Sequence, residues 1–205
     1  MSKRHTDIFE QPPVPTDLRF YAPLLYNDLV DRVSGVIPTQ GTAQVAWDNA
    51  EQSYRFITTT GGQLAFIYNI QGINVHQQPY AYTCIAKVKL NSFTGTCDVL
   101  TVGKTGSEGT SSALMETHRH NGITTGAWHT IAMVLQGDSL IFYLDGAVAR
   151  TGQRTQYAGC DPANWGSSDR QNNLTVCGGF HSYRYDAYVK DVYVFDRVSN
   201  SSLKI

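Results

Sequence analysis

Apolar and polar residues recur along this chain with the period of strands. The clearest case is residues 82–90, where Tyr82, Cys84, Ala86, Val88 and Leu90 fall on one side and Lys87 and Lys89 on the other. A period of two sends alternate side chains to opposite faces, so this segment predicts a strand with one wet face. Residues 128–135 are almost continuously apolar, as in a strand covered on both faces. Shorter strand patterns occupy 18–22, 43–47, 54–59, 63–68, 97–102, 140–144, 147–149, 174–177 and 187–195, with a weaker one at 112–118. Turn signals separate them, among them Pro23, Gly61-Gly62, Gly95 and Gly178-Gly179. Asp145-Gly146 between two apolar runs is a hairpin signal, because both central residues of a type I′ turn need positive φ. Residues 198–203 predict at most one helical turn. Roughly twelve strands and no long helix predict an all-β, two-sheet antiparallel sandwich, a jelly roll among the options.

Composition agrees. Glutamate occurs four times (Glu10, Glu51, Glu108, Glu116), whereas there are 12 tyrosines and 18 glycines in 205 residues. Helices favour glutamate and lysine, while tyrosine fits a pleated surface and glycine a turn. Residues 1–17 carry Pro12, Pro13 and Pro15 without apolar periodicity, and read as an extended N-terminal arm. Residues 18–205 then form a single domain. The net charge of −1 and the lack of a basic stripe argue against a nucleic-acid partner. No apolar run approaches the ~20 residues of a membrane span. Residues 1–7 lack the apolar centre of a secretory signal.

The cysteines Cys84, Cys97, Cys160 and Cys177 contain no C-x-x-C pair, which argues against a zinc ribbon or a thioredoxin-like motif. Cys84 sits in a strand pattern and is expected as a buried free thiol. Cys160 and Cys177 bracket a loop and leave a disulfide open.

Four pieces of the C-terminal half stand in order: Gly126-Ala127-Trp128-His129-Thr130-Ile131-Ala132, then Leu140-Ile141-Phe142-Tyr143-Leu144-Asp145-Gly146, then Leu174-Thr175-Val176-Cys177-Gly178-Gly179, then residues 189–199. Together they resemble the laminin G-like branch of the concanavalin A-like lectin/glucanase superfamily. Near the other end, residues 18–24 and the Asp31 to Gly35 segment are similar to the family's first strand and the turn behind it. The resemblance implies a concanavalin A-like jelly roll whose first and last strands pair, so 18–22 should lie beside part of 187–195. It also implies calcium at the sandwich rim. Asp98, Asp138, Asp161 and Asp169 are the candidate donors, at spacings that define no site. No other cofactor is implied.

Signs of catalysis are sparse. Glycosidases need two carboxyls across one bond, and the glucanase motifs of that superfamily, E-x-D-x-x-E or E-x-D-x-E, do not occur here. The Asp28/Asp31 and Asp186/Asp191 pairs read as solvated turn residues. His118-x-His120 reads as an exposed polar loop edge, and His129 belongs to its strand pattern. There is no G-x-S-x-G elbow, and Gly103-Lys104-Thr105-Gly106 lacks P-loop spacing.

Two places suggest recognition instead. Residues 152–173 form a long insertion that carries Asp161, Asn164, Trp165 and Arg170, the aromatic-plus-polar set that suits a sugar ring. Residues 181–186 put His181, Tyr183, Arg184 and Tyr185 just before the last strand, and Tyr and Arg are typical contact residues. The sequence therefore predicts a non-catalytic module that binds a glycan or a protein through rim loops and faces the extracellular side without a secretory signal. Two alternatives remain open. One is a bacteriophage virion protein anchored to capsid or tail by residues 1–17. The other is a glycoside hydrolase with displaced carboxylates.

Overall fold

The computed structural model describes residues 16–60, 63–70, 80–94, 98–102, 113–117, 120–157, 173–178 and 184–196. Most of the proline-rich arm, Cys97 and Cys160 lie outside them. So do six of the candidate contact residues, Asp161, Asn164, Trp165, Arg170, His181 and Tyr183.

Thirteen strands make up the described chain: β1 (Leu18–Ala22), β2 (Thr39–Gln40), β3 (Gln44–Asp48), β4 (Ser53–Thr58), β5 (Leu64–Asn69), β6 (Ala81–Thr94), β7 (Asp98–Val102), β8 (Ala113–Glu116), β9 (Trp128–Gln136), β10 (Ser139–Leu144), β11 (Ala147–Gln153), β12 (Asn173–Gly178) and β13 (Arg184–Phe195). They form two antiparallel sheets, so the chain is an all-β sandwich. The larger has the order β11-β10-β9-β6-β13-β4-β3, and the smaller β2-β5-β12-β7-β8. A 3-10 turn spans Arg154–Gln156, and Thr117 also has 3-10 conformation. No described helix is long and apolar enough to cross a membrane.

First and last strands do pair: Leu18 faces Phe195 and Ala22 faces Val192. Strand β13 exchanges neighbours along its length. Its first half, Tyr185 to Val189, lies against β4, and its second half lies against β1. A bulge marks the exchange, because its register with β6 shifts between Lys190 and Tyr193 and Asp191 has φ 51°. An extra residue of this kind lets a strand bend and re-aim.

The core lies between the sheets. Phe20, Phe56, Tyr82, Leu90, Met133 and Phe142 enter from the large sheet and Phe66, Tyr68, Met115 and Val176 from the small one, all buried. Edge-to-face contacts join the layers, with Phe20 on Tyr68 at 4.9 Å and Phe56 on Phe66 at 5.5 Å between centroids. Full burial of one such side chain contributes about 1.5–3 kcal/mol. The alternation in β6 holds, with Tyr82, Cys84, Ala86, Val88 and Leu90 all buried inward. In β9 every residue from Ile131 to Leu135 is buried, as a strand covered on both faces requires.

Asp145 and Gly146 turn the β10–β11 hairpin with φ 50° and 81°, the signs a type I′ turn requires. Asp31 departs from the solvated turn residue expected of it. It is buried, and its carboxylate accepts the amides of Tyr21 (2.9 Å), Val33 (3.1 Å) and Ser34 (3.0 Å), fastening the loop after β1 to that strand. His120 also departs from expectation. It is buried, its ring meets Phe142 edge-on, and its Nε2 lies 3.1 Å from the Ala132 carbonyl oxygen, so it is no exposed loop edge. The Cys160–Cys177 bridge is not formed, since Cys177 is a free, buried thiol, as is Cys84. Burial pushes both thiols up, away from reactivity.

Phe56 has no solvent exposure and meets the Phe66 ring of the opposite sheet edge-on. Phe56→Ala is expected to cost about 3–5 kcal/mol of folding free energy, read from urea unfolding midpoints.

Candidate functional site

The large sheet turns one face to the core and the other outward. The register determines what the outer face carries. Trp128 of β9 sits opposite Lys89 of β6, Lys89 opposite Tyr188 of β13, Tyr188 opposite Arg55 of β4, and Arg55 opposite Ala46 of β3. Neighbouring strands lie about 4.8 Å apart, so this row spans roughly 19 Å. Its core-facing neighbours are Val88 and Val189, both buried. A second row holds Thr130, Lys87 and Lys190, and a third holds Ser92, Asp186, Ile57 and Gln44.

The β3–β4 turn reaches over this face. Asp48 builds the turn by accepting the amides of Ala50 (2.9 Å) and Glu51 (3.3 Å), a side-chain-closed turn of the Asx kind. Its other carboxylate oxygen accepts the Tyr188 hydroxyl at 2.7 Å. Glu51 extends further, receiving the Lys89 ammonium and the Trp128 indole N–H, the latter at 2.9 Å. Tyr188 is left 5% exposed beneath. Beside it Arg55 forms a two-pronged pair with Asp186, and Asn91 donates to the same carboxylate at 3.0 Å.

Cations and rings alternate across the surface. The Lys190 ammonium lies 4.1 Å from the Trp128 ring centroid, and Lys89 lies 5.7 Å from that of Tyr188. Lys87 and Lys190 stand directly opposite each other. That repulsion is relieved because Lys87 pairs with Asp191 at 3.1 Å while Lys190 stacks on Trp128. Beyond them the face turns aromatic. Tyr21 and Tyr193 stack in parallel at 4.4 Å.

The carboxyls of this face are poised to stay ionised. The Lys89 and Trp128 bonds hold Glu51 below the usual carboxylate range. The Tyr188 hydroxyl does the same for Asp48, and the Arg55 guanidinium for Asp186. Burial, and then the bond to Asp48, pushes the Tyr188 phenol up.

The structure places the sequence candidates as follows. Strand β13 begins at Arg184, earlier than the polar run before it suggests, so Arg184 and Tyr185 belong to the sheet. Arg184 is exposed at the end of the outer face, whereas Tyr185 is 2% exposed and part of the core. Among the candidate calcium donors, Asp138 pairs with Arg154 at 2.8 Å and Asp98 is buried. Among the described residues no three His, Cys, Asp or Glu side chains come together as metal ligands. His129 fastens a loop: its Nδ1 meets Asp145 at 2.8 Å, and its Nε2 receives the Thr124 amide at 3.3 Å beside the Thr124 hydroxyl at 2.9 Å. The neighbouring Gly126 amide donates to the Leu90 carbonyl oxygen, so it is unavailable to a reacting oxyanion.

No protein-family model matches the sequence, and no curated protein matches it. Solved structures share its fold. Trypanosoma rangeli sialidase superposes with a TM-score of 0.59 at 15% identity over 91% of this chain and 31% of the sialidase. The botulinum neurotoxin serotype D ligand-binding domain in complex with N-acetylneuraminic acid gives 0.56 at 10% identity, over 90% of this chain and 48% of that one. The botulinum neurotoxin DC binding domain in complex with rat synaptotagmin II gives 0.57 at 11% identity, over 90% and 49%. The chain thus spans a third to a half of the proteins it resembles. At these identities the likeness defines a β-sandwich and nothing finer.

Asp48, Glu51 and Asp186, with Asp145 held low against its burial by His129 and Thr130, all titrate lower folded than unfolded. Their contribution is complete above the unfolded carboxylate range, roughly pH 4, and is lost as pH falls through the lower folded values. The thermal midpoint is expected to fall between about pH 4.5 and 2.5. Glu51→Gln should flatten that fall while lowering the midpoint at neutral pH.

Proposed function

We propose that this chain is a non-catalytic recognition module of the concanavalin A-like, laminin G-like kind, binding a glycan or protein partner across the outer face of its large sheet. The supporting observation is the row Trp128–Lys89–Tyr188–Arg55, in which Trp128, Lys89 and Arg55 stay partly exposed around a Tyr188 buried beneath the Asp48 turn. A sugar presents an apolar ring face and a rim of hydroxyls, and such a surface offers partners for both. The same mixture of Trp, Tyr and Arg is what protein interfaces favour. The described parts of the four family-like segments overlap β9, β10, β12 and β13. Solved complexes of similar fold hold both kinds of ligand, a sialic acid in one and a synaptotagmin in another. In this reading Asp161, Asn164, Trp165, Arg170, His181 and Tyr183 add contacts from the rim.

The charge states support a binding role over a catalytic one. A glycosidase keeps one carboxyl protonated near neutral pH by raising its pKa. On this face the shifted carboxyls are all lowered.

Titration of an oligosaccharide panel, followed by calorimetry, tests the reading. At least one oligosaccharide is expected to bind, and Trp128→Phe, which removes the indole N–H but keeps a ring, should weaken it about tenfold without unfolding the sandwich. Silence across the panel, or Trp128→Phe binding like the wild type, would sink the glycan version.

A further inference from the structure

Beyond the charged rows the outer face of the large sheet changes character, and two further rows cross it without a charged residue. One runs Tyr21–Tyr193–Ile85–Ala132–Tyr143–Val148, from β1 to β11. The next runs Leu18–Phe195–Thr83–Val134–Ile141–Thr151 over the same strands. In the middle of this strip Ile85, Ala132 and Val134 are 4%, 2% and 4% exposed, and Thr83 is fully buried. Yet each alternates with core residues such as Cys84 and Met133 and so faces the other way. In the charged rows Lys87, Trp128 and Thr130 keep part of their surface in water. The middle of the uncharged strip is therefore sheltered on its outer side, and the shelter is present in the single chain. Its flanks stay more open: Tyr21, Tyr143, Tyr193 and Phe195 are half-buried, and Val148 is 58% exposed. The Phe195 ring lies nearly parallel to that of Tyr193, 14° apart, and continues the stack that begins at Tyr21.

The strip is about 24 Å long across its strands and about 14 Å wide, or roughly 340 Å². A stable interface with a second copy needs about 800 Å² on each side, so the strip is too small for that occupant and suits one segment of chain. The described chain starts at Thr16 and enters at the edge of the strip. There Leu18 faces Phe195, and the Asp196 amide donates to the Asp17 carbonyl oxygen at 3.0 Å. The residues just before are Ile8-Phe9-Glu10-Gln11-Pro12-Pro13-Val14-Pro15, six of them apolar and one charged. In the polyproline II form that prolines favour, these eight residues span about 25 Å, which matches the length of the strip. Pro12, Pro13 and Pro15 lack an N–H, so fewer backbone donors lose water when the segment lies flat on a sheet face. Aromatic-lined surfaces are the usual partners of such segments. Residues 197–205 leave from the same corner, but they carry two cations and only three apolar side chains. We propose that residues 8–15 lie across the uncharged strip as its intramolecular cover, with the prolines near Tyr21, Tyr193 and Phe195 and Phe9 near Tyr143 and Val148. This goes beyond the recognition reading and bounds it: the charged rows stay open to a partner while the arm holds the apolar ones.

The test keeps the full chain and puts a photoreactive benzophenone amino acid in place of Phe9. Illumination is expected to join position 9 to β10 or β11 of the same chain, as read by peptide mass spectrometry. Deleting residues 1–15 should raise the fluorescence of anilinonaphthalene sulfonate, a dye for exposed apolar surface, about threefold. Deleting 197–205 should leave it unchanged. Phe9→Ser in the full chain should give part of the same rise, which keeps the test decisive should the shortened chain fail to fold. A synthetic peptide of residues 5–16, added to the shortened chain, should reverse the rise. Crosslinks between two chains only would overturn the intramolecular cover. Crosslinks to the small sheet, or none at all, would overturn the strip as the docking place. A dye response to loss of 197–205 and not of 1–15, or to neither, would overturn the arm as occupant. None of these readouts involves a sugar, so failure of the recognition reading is seen separately.

Discussion

The register between β6 and β13 determines both faces of the molecule at once. Val88 against Val189 and Cys84 against Val194 belong to the core, while Lys89 against Tyr188 and Lys87 against Lys190 belong to the outer surface. A slip of one residue would exchange these sets and bury lysines against the small sheet. Two irregularities hold the register in place. One lies between Asp186 and Ala187, the other between Lys190 and Tyr193. The first shifts the pairing by one residue from Ala187 to Lys190, and the second restores it. The second also lets β13 leave β4 and take β1 as its neighbour.

The outer face shows how a sheet can carry many charges at small cost. Exposed ion pairs contribute roughly 0–1 kcal/mol each, so the pairs of Arg55 with Asp186 and Lys87 with Asp191 are not what holds the fold together. Their effect is geometric. Each acid accepts from more than one donor or from a donor on another strand, and so the long cationic side chains keep fixed places. Glu51 shows this best. It sits in a turn at the sheet edge, yet it joins Lys89 and Trp128 two and three strands away. The result is a surface whose rings and cations are ordered in advance, which reduces the entropy that a partner must overcome on binding.

Much of the fold could be read from the chain because strand signals are local. The alternation at Tyr82–Leu90, the continuous run at Ile131–Leu135 and the Asp145-Gly146 turn each depend on neighbours in sequence. The pairing of β1 with β13 came from the family resemblance, since nothing local couples residues so far apart. Misjudged boundaries share one cause. Asn91 to Thr94 and Arg184 to Asp186 each put polar residues around one aromatic and fall outside the strand patterns, but across the ladder they pair as strand. Glu51 stood out in the sequence only as one of four glutamates, whereas its bonds reach 38 and 77 residues along the chain. The Asp48-Asn49 turn signal and the outward phase of Lys89 together contained the clue. The proposed rim contacts near Trp165 lie outside the described residues, so the site drawn here is the part built on strands.

The two free thiols among the described residues have a use of their own. Cys84 lies in the middle of the large sheet and Cys177 in the middle of the small one, each without solvent contact. An alkylating reagent can reach either sulfur only after its own sheet has opened. Chemistry at two native atoms can therefore time the two halves of the sandwich separately, and show whether the layers part together or one frays before the other.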